Sequence, residues 1–200
     1  MSEAPAITPT IYVVDDDRDL GASVARLLQR HGFCAEPFLD PAPLLALYAD
    51  ACVTGAAHCI VTDVMMGDID GFAFADRMRA IDPGVAIIFM TAWPTTANAV
   101  DSVRRYGGLD YLEKPIDEDR LLAAVTEGVA WSAGRRAALE RTARLTVRER
   151  QVFDLLVEGH PNKVVADRLG LSPKTVEDHR AAVLAKTGAS GLAALIALSR

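Results

Sequence analysis

The stretch "TIYVVDDDRDL" spans Thr10 to Leu20. β-prone apolar residues run straight into three adjacent carboxylates, Asp15, Asp16 and Asp17. Like charges packed this closely repel one another and push at least one pKa up. Three uses fit such a cluster: a solvated acidic turn, a helix cap, or half of a cation site. The fold around it decides between them.

Four more β-prone runs follow: "CAEPFL" (34–39), "HCIVTD" (58–63), "VAIIFM" (85–90) and "DYL" (110–112). Helical patterns lie between them. They are carried by Leu20, Val24, Leu27 and Leu28; by Leu44, Leu45, Leu47 and Tyr48; by Phe72, Ala75 and Met78; by Ala99, Val100 and Val103; and by Leu121, Leu122, Val125 and Val129. Gly32 is placed to end the first helix as its C′ residue. Strands alternating with helices predict an α/β unit, a parallel sheet covered on both faces. Runs one, three and four are nearly all apolar, as central strands should be. In such sheets ligands gather beyond the carboxyl ends of the strands. Asp15–Asp17 follow strand one, Asp63 ends strand three, Thr91 follows strand four and Lys114 follows strand five. The predicted fold brings all of them to one edge.

The 200 residues suffice for one large domain or two small ones, and half of them are apolar. No run of about 18 apolar residues predicts a membrane span. "MSEAPAITPT" lacks the pattern of a secretory signal. The three cysteines (Cys34, Cys52, Cys59) lack metal-ligand spacing and read as reduced thiols of a cytoplasmic protein. Residues 1–143 hold 12 Lys and Arg against 21 Asp and Glu, a charge of −9; residues 144–200 hold nine against six, +3. The mildly basic tail hints at an anionic partner.

The segment "AWSAGRRAALERTAR" (130–144) reads as a helical linker continuing the last front-unit helix, with Gly134 as a weak point. From Leu145 only helices are predicted. Thr146 and Glu149 are spaced as a capping box. "NKVVADRLG" is a short second helix and "LGLS" a tight turn. Ser172 can N-cap a third helix with Pro173 at its first position, and a fourth starts at Leu192. Two short helices joined by a Gly-containing turn form a helix-turn-helix signature.

Taken together, "VVDDD", "VTDVMMGDIDG", "FMTAW" and "DYLEKP" resemble the receiver domain of two-component response regulators. "LTVRERQVFDLLVEGHPNKVVADRLGLSPKTVEDHRAAVLAKTG" resembles the LuxR-type helix-turn-helix. Their order is that of NarL/FixJ-type regulators. The resemblance implies a doubly wound, flavodoxin-like five-stranded receiver of strand order 2-1-3-4-5, followed by an all-α, four-helix domain. The expected boundaries are 8–128 for the receiver, 129–144 for the linker and 145–200 for the DNA-binding domain.

The resemblance also implies roles. Asp63 matches the phosphoacceptor, a carboxylate nucleophile toward the phosphohistidine of a sensor histidine kinase. Asp16 and Asp63 would bind Mg²⁺ directly, Asp15 would assist, and the backbone carbonyl of Met65 would complete the ligands; the ion prefers such oxygen donors. Lys114 would pair with the phosphoryl group, aimed by a cis bond at Pro115. Thr91 would donate its hydroxyl to the phosphate, and Tyr111 would turn inward as an aromatic switch. The outcome would be a homodimer formed around the helix of Ala99–Val103 and the fifth strand. Asp17 either caps the first helix or deepens the negative field.

Four positions depart from the family pattern. Gly67 stands where proline is usual, Met65 and Trp93 replace residues that are often polar, and Ile116 replaces an aromatic. Met65 and Trp93 would screen an acyl phosphate from water and slow its loss. No catalytic constellation is present in the tail, so no enzymatic output is expected.

In the tail, the helix from Pro173 would enter the major groove of double-stranded DNA. Lys174, Thr175, His179, Arg180 and Lys186 are candidate contacts, mostly to phosphates, with Asn162 and Lys163 beside them. Glu177 and Asp178 fall where relatives read bases; one of them can equally face solvent. His179 fits a packed histidine as well as a phosphate contact. His31, His58 and His160 suggest no function. A phosphorylation-independent regulator with the receiver as a docking surface is the alternative reading.

Overall fold

The computed structural model describes residues 9–49, 58–95 and 108–199. The chain divides into two compact units, Met1–Ala133 and Gly134–Arg200.

The first unit is built on strands β1 (Thr10–Val14), β2 (Cys34–Phe38), β3 (Cys59–Asp63), β4 (Ala86–Thr91) and β5 (Asp110–Glu113). They form one five-stranded sheet of order β2-β1-β3-β4-β5, with every pairing parallel. Helices α1 (Arg18–Arg30), α2 (Pro41–Ala49), α3 (Gly71–Ile81) and α4 (Glu118–Ala143) accompany them. The expected helix of Ala99, Val100 and Val103 lies outside the described residues.

Side chains alternate across a strand, so each central strand feeds two cores. Ile11, Val13, Val61, Ile88 and Met90 pack with Val24 and Leu28 of α1 and Leu121 and Val125 of α4. Tyr12, Val14, Ile60, Ile87 and Phe89 pack with Leu44 of α2 and with Phe74 and Met78 of α3. β3 and β4 are buried throughout, which explains their unbroken apolar character. β2 lies at the sheet edge, where Pro37 is tolerated because no outer neighbour needs its missing N–H.

The helix ends follow the local sequence. The Asp17 side chain caps α1, accepting from the backbone N–H of Asp19 and Leu20. At the other end, Gly32 N donates to the Gln29 carbonyl and Phe33 N to the Leu28 carbonyl. That is a Schellman closure, and it requires the left-handed backbone of Gly32 (φ +88°).

α4 is one unbroken helix of 26 residues. Gly134, expected to weaken it, lies inside the helix; one glycine costs only about 1 kcal/mol relative to alanine there. In the first unit, buried Ser132 donates to the Gly84 carbonyl (2.6 Å), and the Arg79 guanidinium lies 5.1 Å from the Trp131 ring centre.

The second unit holds the end of α4 and helices α5 (Val147–Val157), α6 (Asn162–Leu169), α7 (Pro173–Thr187) and α8 (Leu192–Ser199). Val152, Phe153, Leu156, Val165, Ala166, Val176, Val183 and Leu195 form its core. Thr146 and Glu149 make the capping box on α5. Left-handed Gly170 turns the chain between α6 and α7, and the Ser172 hydroxyl caps α7. Arg135 donates to the Leu198 carbonyl (3.2 Å) and Arg150 to the Thr142 carbonyl, so the end of α4 is held to this unit's other helices. Among the described residues, no single helix is long and apolar enough to cross a membrane.

Candidate functional site

The sheet register brings the acidic residues together. Val14 pairs with Thr62, so the next residues, Asp15 and Asp63, stand side by side where the strands end. Asp63 pairs with Met90 and Thr91 with Glu113. Thr91 and Lys114 therefore extend the same row, and Lys114 N donates to the Thr91 carbonyl (2.7 Å).

Lys114 is the electrostatic centre of the site. Its ammonium lies 2.8 Å from Asp15 Oδ2 and 3.0 Å from Asp63 Oδ2. The peptide bond that follows, to Pro115, is cis. Asp15 is fully buried and Asp63 nearly so. Burial is the main influence on Asp15 and raises its pKa, with the Lys114 and Asp17 hydrogen bonds working against it. Burial opposes the Lys114 charge, but hydrogen bonds and attraction from Asp15 and Asp63 outweigh it and hold its pKa up. Asp15 Oδ1 accepts from Asp17 N (2.9 Å) and Asp63 Oδ1 from Val64 N (2.8 Å). Each carboxylate thus has both oxygens engaged, one by a backbone N–H and one by the lysine.

Asp16 is exposed beside them. Carboxylate oxygens of Asp15, Asp16 and Asp63 lie within 4.8 Å of one another, a hard-oxygen donor set that suits Mg²⁺ or a similar cation. Met65, two residues beyond Asp63, is 62% exposed, and Trp93 is 74% exposed. Thr91 is fully buried, and its hydroxyl oxygen accepts from Trp93 N (3.1 Å). Tyr111 packs at the edge of the second core, and its hydroxyl is already buried without a hydrogen-bond partner among the described residues.

Gly71 has a role at the site that the motif residues alone do not show. A Cβ there would overlap the main-chain carbonyl oxygen of Asp63. The signal was the Asp-Gly pair: Asp70 caps α3 by accepting from Ala73 N (2.7 Å), and Gly71 lets α3 start directly against the end of β3.

In the second unit the candidate DNA residues divide. Lys163, Lys174, Glu177, Asp178 and Lys186 are exposed; Asn162, Thr175, His179 and Arg180 are half-buried. Arg180 donates to Asn162 Oδ1 (3.3 Å). Lys186 sits 2.7 Å from Glu149 Oε2. This pairing was not anticipated: Lys186 neutralises the carboxylate of the capping box, 37 residues earlier in the chain. Glu149 is held at a pKa of about 2 by the Lys186 hydrogen bond and then by the Thr146 backbone N–H.

An acidic site at the carboxyl edge of a 2-1-3-4-5 sheet, joined to a helix-turn-helix unit, defines a transcriptional response regulator. Residues 11–126 match the response regulator receiver domain family, and residues 143–199 match the bacterial regulatory proteins of the luxR family. The chain is 36% identical over 196 residues to the transcriptional regulatory protein FixJ of Azorhizobium caulinodans, covering 94% of this chain and 90% of that one. It is 32% identical over 195 residues to the C4-dicarboxylate transport transcriptional regulatory protein DctR of Rhodobacter capsulatus, covering 93% and 96%. Among solved structures, full-length FixJ from B. japonicum aligns with a TM-score of 0.51 at 32% identity, covering 97% of each chain. The response regulator StyR aligns at 0.55 and 31%, covering 96% and 98%. The chain belongs to the NarL/FixJ-type response regulators, transcriptional regulators with a receiver domain and a LuxR-type DNA-binding domain.

Proposed function

We propose that Asp63 accepts a phosphoryl group from the phosphohistidine of a sensor histidine kinase, and that this modification controls dimerisation and operator binding. The observation that carries the reading is the Lys114 ammonium between Asp15 and Asp63, 2.8 and 3.0 Å away. A phosphoryl group entering beside Asp63 meets a cation already in place, and such transfer depends on positioning and charge neutralisation. Asp63 attacks phosphorus through a carboxylate oxygen; the P–N bond to histidine breaks and an acyl phosphate forms. Lys114 exchanges its carboxylate partner for a phosphate oxygen.

Asp16 and Asp63 would hold Mg²⁺ directly, with Asp15 assisting and the Met65 carbonyl as a further oxygen donor. When bound, the ion supplies positive charge that offsets the phosphoryl oxygens. The Thr91 hydroxyl then turns from Trp93 N toward the phosphate. Tyr111 follows as the switch; its ring is already partly packed, so the movement completes a burial rather than beginning one. Met65 and Trp93 shield the acyl phosphate from attacking water.

The receiver spans residues 8–128, the linker 129–144 and the DNA-binding domain 145–200. In the last, α7 enters the major groove with Lys174, Thr175, His179 and Arg180 along it, and Asn162 and Lys163 flank it at the start of α6. The protein works in the cytoplasm, on double-stranded DNA. The reading is tested by incubating full-length protein with acetyl phosphate and Mg²⁺ and following its intact mass. Wild type should gain one phosphoryl group and Asp63→Asn none; equal labelling of both would overturn it.

A further inference from the structure

α7 carries an unexpected charge pattern for a helix that meets a polyanion. Val176, Val183 and Thr187 are its buried side. Lys174, Glu177, Asp178, Ala181 and Ala185 form the exposed stripe opposite. The alanines offer only methyl groups, so polar readout from this stripe falls to Lys174, Glu177 and Asp178. The next cations along the helix are engaged elsewhere, Arg180 with Asn162 and Lys186 with Glu149.

The two carboxylates are not equivalent. Lys174 Nζ lies 3.1 Å from Asp178 Oδ1 and 3.8 Å from Glu177 Oε2. Only the first is within hydrogen-bond range. Asp178 is therefore compensated by a partner one helical turn away. Glu177 keeps its acceptor capacity, and its side chain is 58% exposed.

We propose, on the basis of the DNA-binding reading above, that Glu177 sets base specificity by accepting a hydrogen bond from cytosine N4 in the major groove, while Lys174 holds Asp178. The base edges make the choice. Guanine presents two acceptors and thymine one, which repel a carboxylate; adenine sets an acceptor beside its amino donor; cytosine presents a donor alone. Placing a carboxylate among phosphates is unfavourable unless a donor meets it, so Glu177 selects as much by rejecting wrong bases as by binding the right one. Ala181, one turn further on, adds no competing donor or acceptor.

The test is selection from a randomised duplex library by the full-length protein treated with acetyl phosphate, repeated with Glu177→Gln and Asp178→Asn. Wild type should enrich cytosine at one position per half-site, roughly fivefold or more over the other bases. Glu177→Gln should move that position toward adenine, whose N6 and N7 match a glutamine amide, and leave the rest of the site unchanged. Asp178→Asn should tighten binding across sequences without changing the preferred base. Absence of a cytosine position, or a preference that moves with Asp178→Asn and not with Glu177→Gln, would overturn the assignment while DNA binding stands. Failure to enrich any duplex, with no salt-dependent affinity, would overturn the DNA-binding reading and this assignment together.

Discussion

Gly71 is packed against the main chain of Asp63. A Cβ at position 71 would lie 3.0 Å from both the Asp63 carbonyl carbon and Val64 Cα, and closer still to the Asp63 carbonyl oxygen. These are backbone atoms at the end of a buried strand, so neither side yields cheaply. Gly71→Ala should lower stability by about 1–3 kcal/mol and slow phosphorylation of Asp63 by displacing its carboxylate. Urea unfolding and acetyl-phosphate labelling check this. Wild-type stability and rate would show that the site accommodates the methyl group.

With carboxylate oxygens of Asp15, Asp16 and Asp63 within 4.8 Å of one another, the proposed Mg²⁺ site would make the folded receiver a better cation ligand than the unfolded chain. Mg²⁺ should therefore raise the unfolding temperature, by the equivalent of about 2.7 kcal/mol at a hundredfold excess over Kd. Asp16→Asn should cut most of that shift. Because Asp16 is exposed, the substitution should barely change stability without the ion. An equal Mg²⁺ response in both proteins would remove Asp16 from the ligand set.

On the proposed phosphorylation of Asp63, the lifetime of the acyl phosphate would depend on access for water. Met65 and Trp93 stand on the loops that follow Asp63 and Thr91, and both present large apolar surfaces to solvent. Replacing Met65 by Asn should speed phosphoryl loss severalfold, followed by the decay of labelled protein. Slower or unchanged decay in the variant would count against shielding.

Glu149 gives the DNA-binding domain a defined acid response. Its folded pKa is about 2 against an ordinary 4.5. A depressed carboxylate pKa stabilises the fold above the unfolded value, and that contribution is lost as pH falls through the folded value. The stability of the domain should fall between about pH 4.5 and 2, and Glu149→Gln should flatten this part of the profile. Lys186→Met should weaken the same dependence, because the Lys186 hydrogen bond is the largest cause of the depressed pKa. Circular dichroism at 222 nm across a pH series, read against urea, measures both.

The fold was legible because its signals are local and agree with one another. β3 and β4 are apolar runs that cannot be surface strands, and Thr146, Ser172 and Gly32 are placed at helix ends where their chemistry has one use; Asp17 has two on sequence grounds, and the structure shows it as the cap of α1. The helix faces were less clear. α2 is apolar nearly all round, so its pattern did not show that Leu47 would be 41% exposed while Leu44 is fully buried. Phe72 marks this face in the sequence, but Phe74 is the one fully buried in the second core, with Phe72 only partly buried against it.

Residues of the acidic site could be named from the sequence because each closes a strand, and the parallel register aligns strand ends. What the sequence lacked was their pairing. Lys114 is 99 residues from Asp15, and Lys186 is 37 residues from Glu149. Periodicity carries no information about such contacts. The Gly71 approach is likewise a matter of how closely α3 follows β3, which a glycine permits but does not announce.

Whether phosphorylation of Asp63 governs DNA binding is decided by one titration. Full-length wild type and Asp63→Asn are each titrated onto an operator duplex, obtained by selection, with and without acetyl phosphate and at fixed salt and Mg²⁺. Acetyl phosphate should tighten binding of wild type and leave Asp63→Asn unchanged. Equal affinity of wild type in both states, or an equal response from Asp63→Asn, would contradict such control.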